Sequence, residues 1–426
     1  MKKWLKRLAK IVGYLVLTFV ISLTIWLENS TVIRTEGGVY QRIRLPIAFS
    51  EEAIGWDARL SIVADEPKLA RLQGPVVSTS GNGQLMAEWY CIDQSYARAI
   101  SPVNTLSISC AGETSAYRFR IEKPLLGASS IKTDAPIAVT SDLEGNLPYF
   151  KAWAQDVGAL NEDGRWAFGT GHVVIIGDML DRGRYIHELL WFIYDLEQQA
   201  EAAGGGLHIL IGNHEQYAFD YIFNRNDVEH LWAIEQLMRY DEAFSHKTIL
   251  GSWLRAKPIA LKINNILFVH GGFSEKLMAA NLSLDELNAL HLQSVTAGVN
   301  KEEKDLLYGL SSPTRYRGYV YDRPEYPLAT DALIDQTLSR FDAEYIVTGH
   351  NPAEKIEGRY SDRVFVTDVK GGPKEALTFK GGKPEIVKLS QQKLEFADPA
   401  MQARSFSILN TKDWAAFLGV FALAFR

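Results

Sequence analysis

Between residues 137 and 367 the chain repeats one arrangement, a short apolar run followed at once by a polar, glycine-bearing cluster. The runs cover 137–140, 173–176, 209–211, 266–269, 345–347 and 364–367, which is strand length and too short for helices. Helical stretches separate them. The one from 185 to 203 carries Ile186, Leu189, Leu190, Ile193 and Leu196 on one face. This alternation predicts an α/β domain. The clusters are Ser141-Asp142-Leu143-Glu144-Gly145-Asn146, Gly177-Asp178-Met179-Leu180-Asp181-Arg182-Gly183, Gly212-Asn213-His214-Glu215, Val269-His270-Gly271-Gly272 and Thr348-Gly349-His350. Placed at the carboxyl ends of strands, they converge on one edge of a sheet, where ligands bind in such folds.

Carboxylates, an amide and imidazoles drawn together suit Mn, Mg, Fe or Zn, and two metals sharing one carboxylate make a clamp for a phosphoryl group. Taken singly, each motif is weak: a lone aspartate more often caps a helix than binds metal. The ordered set D-x-E-G-N, G-D-x-x-D-R-G, G-N-H-E, V-H-G-G and G-H is another matter. It resembles the signature of calcineurin-like metallophosphoesterases, and among them the PPP-type phosphoprotein phosphatases and the symmetrical diadenosine tetraphosphate hydrolases. The resemblance covers residues 135 to about 375.

The resemblance implies a metallo-dependent phosphatase fold, two packed sheets flanked by helices, holding two divalent metal ions. Asp142 and Glu144 would bind the first metal, Asp178 would bridge, and Asn213, His270 and His350 would complete the second site. His214 would protonate the leaving oxygen, oriented by Asp181, while Arg182 grips the phosphate. A further phosphate arginine is expected within Thr314-Arg315-Tyr316-Arg317-Gly318. Arg317 is the choice, with Arg315 open beside it. The family usually has histidine where this chain has Glu144, and the added negative oxygen favours Mn or Mg over Fe or Zn. The remaining histidines, His172, His187, His208, His230, His246 and His291, read as structural or exposed.

The rest of the 426 residues adds an address and a second body. Lys2, Lys3, Lys6, Arg7 and Lys10 precede an uncharged run from 11 to 27, flanked by Trp4 and Trp26. A signal anchor fits this better than a cleaved signal peptide, because Thr24-Ile25-Trp26-Leu27 is bulky where a cleavage site needs small residues. The positive-inside rule then leaves the amino end in the cytoplasm and the catalytic domain on the periplasmic or extracellular side. Residues 31–126 read as a small all-β accessory domain, with strand-like runs at 39–47, 58–63, 86–91, 105–110 and 116–121. The only two cysteines, Cys91 and Cys110, each end such a run. A disulfide across a sheet and two buried thiols both fit. A polar stretch at 127–134 is the expected linker, 135–395 the metallophosphoesterase domain, and 396–426 a tail ending in an apolar segment that is either docked or interfacial.

A net charge of -6 gives no broad basic surface, so wholesale nucleic-acid binding has no compositional support, although a local phosphate site can still be basic. The expected partners are therefore a phosphorylated substrate and, through the N-terminal helix, a membrane. The expected activity is hydrolysis of a phosphomonoester, a phosphoprotein among the candidates, by attack of metal-bound hydroxide. Dinucleoside polyphosphate hydrolysis and a non-catalytic envelope scaffold are the alternatives.

Overall fold

The structure, a computed structural model, describes residues 2–35, 40–46, 53–59, 69–80, 83–101, 103–110, 112–120, 127–222, 227–369, 374–390, 401–411, 413–414 and 417–418. The chain divides into two compact units, one of residues 71–396 and one of 1–70 together with 397–426.

The larger unit is an α/β fold of two packed sheets. Three parallel strands, Gly206–Leu210, His172–Ile176 and Ile137–Thr140, continue through the antiparallel strands Glu375–Lys380 and Lys383–Lys388. The second sheet runs Gly358–Arg359, Val364–Val366, Tyr345–Thr348, Ile266–Val269, Ala260–Ile263 and Ser130–Ile131. Alternate residues of facing strands meet between the sheets: Ile137, Val139, Val174 and Ile176 share one core with Ile266, Phe268 and Val347. Both faces of the strand His172–Ile176 are buried, which explains its unbroken apolar sequence. The helix Ile186–Ala202 seals the outer face with Leu189, Ile193 and Leu196, as the spacing predicts. The expected linker at 127–134 contains a short strand, because Ser130 and Ile131 pair in parallel with Lys262 and Ile263 and extend the sheet.

The β-rich segment is shared between the units. Strands Leu85–Ile92 and Gln94–Ile100 and the hairpin Val103–Cys110/Glu113–Arg120 lie in the larger unit, together with most of Leu69–Thr79. They pack on its helices. Tyr90 meets Trp232 edge to face at 5.1 Å, and Trp191 Nε1 donates to the Pro75 carbonyl at 2.9 Å. Cys91 and Cys110 are disulfide-bonded, tying the three-stranded sheet to the hairpin.

The smaller unit holds the helix Lys2–Glu28 and an antiparallel sheet in the order Met401–Ser405, Thr31–Thr35, Tyr40–Pro46, Ala53–Arg59. The expected strand at 58–63 is found earlier, at Ala53–Arg59, and residues 60–63 lie outside the described ones. Lys10–Glu28 is long and apolar enough to cross a membrane, and its side chains from Ile11 to Val20 are exposed. Near its end Leu27 buries against Val32 and Phe406, with Trp414 and Phe417 packed around them. Of the apolar tail, Trp414 and Phe417 pack here, while Leu418 is exposed.

Two buried histidines set an acid limit on the fold. His187 and His291 are each 1% exposed, and neither ring makes a hydrogen bond among the described residues. Burial lowers both to about 3, with Arg255 adding to the effect at His291. The folded state keeps them neutral, whereas the unfolded chain protonates them near 6.5. Their contribution is therefore whole above pH ~6.5 and fades as the pH falls toward 3, by about 2 kcal/mol each at pH ~5. Urea melts at pH 7.5 and pH 5 should show this loss, and His187→Leu with His291→Leu should flatten the dependence. An equally steep loss in the double variant would remove these histidines from the explanation.

Candidate active site

The polar clusters leave the carboxyl ends of the strands and meet at the edge where the two sheets face each other. Six of the residues singled out in the sequence hold left-handed backbones: Asp142 (φ 49°), Glu144 (51°), Asp178 (53°), Asp181 (69°), Arg182 (53°) and His350 (62°). Each such conformation costs a non-glycine residue about 1–2 kcal/mol, and such strain gathers at functional sites. Neighbouring loops hold it in place. Asp142 N donates to Gly177 O at 3.0 Å, Glu144 N to Asp178 O at 2.9 Å and Gly145 N to Met179 O at 2.8 Å. Gly212 is required for a different reason, since a Cβ there would overlap the Asp178 carboxylate.

Asp178 lies at the centre. Its Oδ1 accepts the His214 backbone N–H at 2.9 Å, and its Oδ2 lies 3.1 Å from His270 Nε2 and 3.8 Å from His214 Nε2. Asp178, His270 and His350 offer ligand atoms all within 4.8 Å of one another, and all three are buried. Asp142 joins through its Oδ2, which accepts the His350 N–H at 3.0 Å. Asn213 Oδ1 and His350 Nε2 are buried with no hydrogen-bond partner among the described residues. Such orphaned acceptors are costly unless something electropositive sits against them.

The electrostatics ask for the same thing. Burial works against a charged His270, yet the carboxylates of Asp178 and Asp142 hold its proton up to about 10. Burial also opposes ionisation of Asp178, but His270 and His214 keep it far below the usual carboxylate range. Asp142 is raised, first by burial and then by the charges of Asp178 and Glu144. Burial and the neighbouring His270 hold His350 neutral, the state in which imidazole ligates. Buried acids that draw protons onto a neighbouring imidazole form a site suited to divalent cations, and these residues fit such ions.

Beside this cluster stand His214 and Asp181. His214 Nδ1 lies 2.5 Å from Asp181 Oδ2, which leaves Nε2 facing Asp178. Burial opposes protonation of His214, but Asp178 and the bond to Asp181 raise it to about 9. Arg182 forms an ion pair with Glu144 at the mouth of the site. Arg317 Nη1 donates to the His350 carbonyl at 2.9 Å, so it borders the ligand cluster. Arg315 turns elsewhere, donating to Tyr308 O at 3.0 Å.

Sequence reasoning gave no role to Glu215. Its carboxylate is fully buried and accepts four backbone N–H groups, from Asp178 at 2.9 Å, Met179 at 2.7 Å, Leu180 at 3.2 Å and Gly212 at 2.9 Å. One side chain thereby fixes the loops carrying Asp178 and Asn213. Burial and the charge of Asp178 push it up to about 7 against the pull of those bonds. Its place in G-N-H-E was visible, but its target is backbone, which leaves no trace in side-chain identity.

A model of the calcineurin-like phosphoesterase family matches residues 135–354. The chain belongs to that family. This calcineurin-like phosphoesterase is 22% identical over 275 residues to Shewanella-like protein phosphatase 1 of Plasmodium berghei, spanning 62% of this chain and 75% of that protein. Among solved structures, a point mutant of a cold-active protein tyrosine phosphatase superposes with a TM-score of 0.67 at 30% identity. The cold-active protein-tyrosine phosphatase of a psychrophilic Shewanella species gives 0.65 at 29% identity. Both superpositions cover 75% of this chain and 100% of the other. The chain is a metal-dependent phosphatase.

Proposed function

We propose that this phosphatase hydrolyses phosphomonoesters carried by proteins, at a membrane and outside the cytoplasm. The observation that carries the reading is the placement of His214, its Nδ1 held by Asp181 at 2.5 Å and its Nε2 facing Asp178. A monoester with a poor leaving group needs a proton at that point. Asp142 and Glu144 would hold one metal ion and Asn213, His270 and His350 a second, with Asp178 as the ligand common to both. Mn or Mg is preferred because Glu144 adds a hard oxygen. When bound, two such ions neutralise phosphoryl charge and activate water. Arg182 and Arg317 bind the phosphoryl oxygens, and Arg182 exchanges its contact with Glu144 for the substrate. Proteins named as phosphatases of protein substrates, matched over most of the chain, support the substrate class.

The basic residues before the apolar helix favour a cytoplasmic amino end, and the Cys91–Cys110 disulfide suits an oxidising compartment. The test is turnover of p-nitrophenyl phosphate, a phosphopeptide and diadenosine tetraphosphate by the detergent-solubilised full chain, with Mn, Mg, Zn or no added metal. Both monoesters should be cleaved, best with Mn or Mg. Turnover confined to the dinucleotide would replace this reading with the polyphosphate one, and none at all would favour a scaffold.

A further inference from the structure

Arg317 borders the ligand cluster without a carboxylate to hold it. It forms no ion pair among the described residues, and beyond the His350 carbonyl it reaches only Asn351 Oδ1, at 3.5 Å. The direction of its guanidinium therefore depends on the turn that carries it. That turn is held by a buried chain of hydrogen bonds. Thr314 Oγ1 donates to Gln216 Oε1 at 2.8 Å, and Gln216 Nε2 donates to the Leu307 carbonyl at 3.2 Å. Ser312 Oγ lies 3.2 Å from Thr314 Oγ1, placed to donate to it. Ser312 and Thr314 are fully buried, and Gln216 is 1% exposed.

Gln216 belongs to the helix Asn213–Phe219, one turn after Asn213 and two residues after His214. Its bond to Thr314 therefore joins the helix that presents Asn213 and His214 to the turn that presents Arg317. A third loop closes on the same turn. The N–H groups of Gly271 and Gly272, next to His270, donate to the Pro313 carbonyl at 2.6 and 3.2 Å. A Cβ on Gly271 would come 2.8–3.0 Å from the backbone of Thr314, Arg315 and Tyr316, so only glycine allows this approach. A buried polar contact gains little over an apolar pair of the same shape, so stability alone does not call for Thr314 and Gln216. What the contact supplies is direction, because a hydrogen bond fixes distance and angle where apolar packing does not.

We propose that Thr314 and Gln216 are positioning residues for the hydrolytic reaction, which set Arg317 against the same phosphoryl group that His214 faces. The proposal rests on the reading of Arg317 as a phosphate ligand and deepens it. Neither residue touches substrate, and both act through the arginine. A guanidinium grips phosphate by parallel N–H bonds that weaken steeply when misaligned. Removing the Thr314 hydroxyl leaves the charge of Arg317 in place but releases its turn from the helix. Phosphate affinity should then fall by part of what loss of the arginine costs.

The test follows inhibition of p-nitrophenyl phosphate hydrolysis by inorganic phosphate, using the full chain with added Mn. Arg317→Gln should raise the inhibition constant about thirty-fold. Thr314→Val and Gln216→Met should each raise it about five-fold, with KM rising more than kcat falls. Thr314→Ser keeps the hydroxyl and should stay within about two-fold of wild type. Combined with Arg317→Gln, neither Thr314→Val nor Gln216→Met should add more than about two-fold, because residues acting through one group are not additive. Losses that multiply in the combined variants, no loss in Thr314→Val, or a Thr314→Ser as impaired as Thr314→Val would overturn the positioning role and leave Arg317 as the phosphate ligand. An inhibition constant unmoved by Arg317→Gln would overturn the reading of Arg317 and the positioning role with it.

Discussion

Asp178→Asn is expected to lower turnover about a thousandfold and to strip metal from the purified protein. The substitution is almost isosteric, so the effect isolates charge and ligand identity. Asp178 Oδ2 lies 3.1 Å from His270 Nε2, and Oδ1 accepts the His214 N–H at 2.9 Å. An asparagine oxygen can keep one of these contacts but not the negative charge. That charge outranks every other influence raising the His270 proton to about 10, against burial, which lowers it. In the metal-free variant His270 should therefore titrate well below its wild-type value, which imidazole NMR signals will report. If Asp178 is a ligand as proposed, its loss should also lower the bound divalent metal per chain, measured by elemental analysis. Glu215→Gln probes the same place from behind. Its amide nitrogen would face backbone donors where the carboxylate now accepts them, and loosened outer contacts of this kind cost about 10–100-fold in metal affinity. A variant Asp178→Asn with full metal content and near-normal turnover would remove Asp178 from the centre of the mechanism.

The site was legible because its chemistry is written in contiguous clusters at strand ends, where side-chain identity is the signal. Asp142, Asp178, His214, His270 and His350 sit in such clusters, and the fold brings them together. What escaped was whatever depends on backbone or on distant pairing. Glu215 was passed over because its four partners are amides. The left-handed backbones at Asp142, Glu144 and Asp178 occupy positions that propensity alone would give to glycine or asparagine. Arg315 and Arg317 could not be separated by reading, because two residues on one turn have the same local sequence and opposite surroundings. In the fold, the strand at Ser130–Ile131 is two residues long and exists only because an edge of the second sheet accepts it. Strand Met401–Ser405 was missed for a related reason: its partner, Thr31–Thr35, lies at the other end of the chain. Long, periodic elements came through with their bounds nearly intact, as at Ile186–Ala202.

His214→Asn separates acid catalysis from everything else in the site, and its effect should depend on the leaving group. On an alkyl phosphate, turnover should fall about 10²–10³-fold, within the range for loss of a positioned general acid. On an aryl phosphate the loss should be several-fold smaller, since a phenol of pKa ~10 departs far more readily without a proton than an alkoxide does. Metal content should stay at the wild-type level, because the ring is held by Asp181 Oδ2 at 2.5 Å and faces the cluster across 3.8 Å. Asp181→Asn should give a partial version of the same defect with a distinct signature in pH. Burial lowers the His214 proton affinity, while Asp178 and Asp181 raise it to about 9. The acid works only while protonated, so activity on the alkyl substrate should decline as the pH rises through the folded value. Removing the Asp181 charge moves that decline to lower pH, and the aryl substrate should show less of it. Equal losses on alkyl and aryl esters in His214→Asn, or an alkaline limb unmoved by Asp181→Asn, would assign the leaving-group proton to another donor.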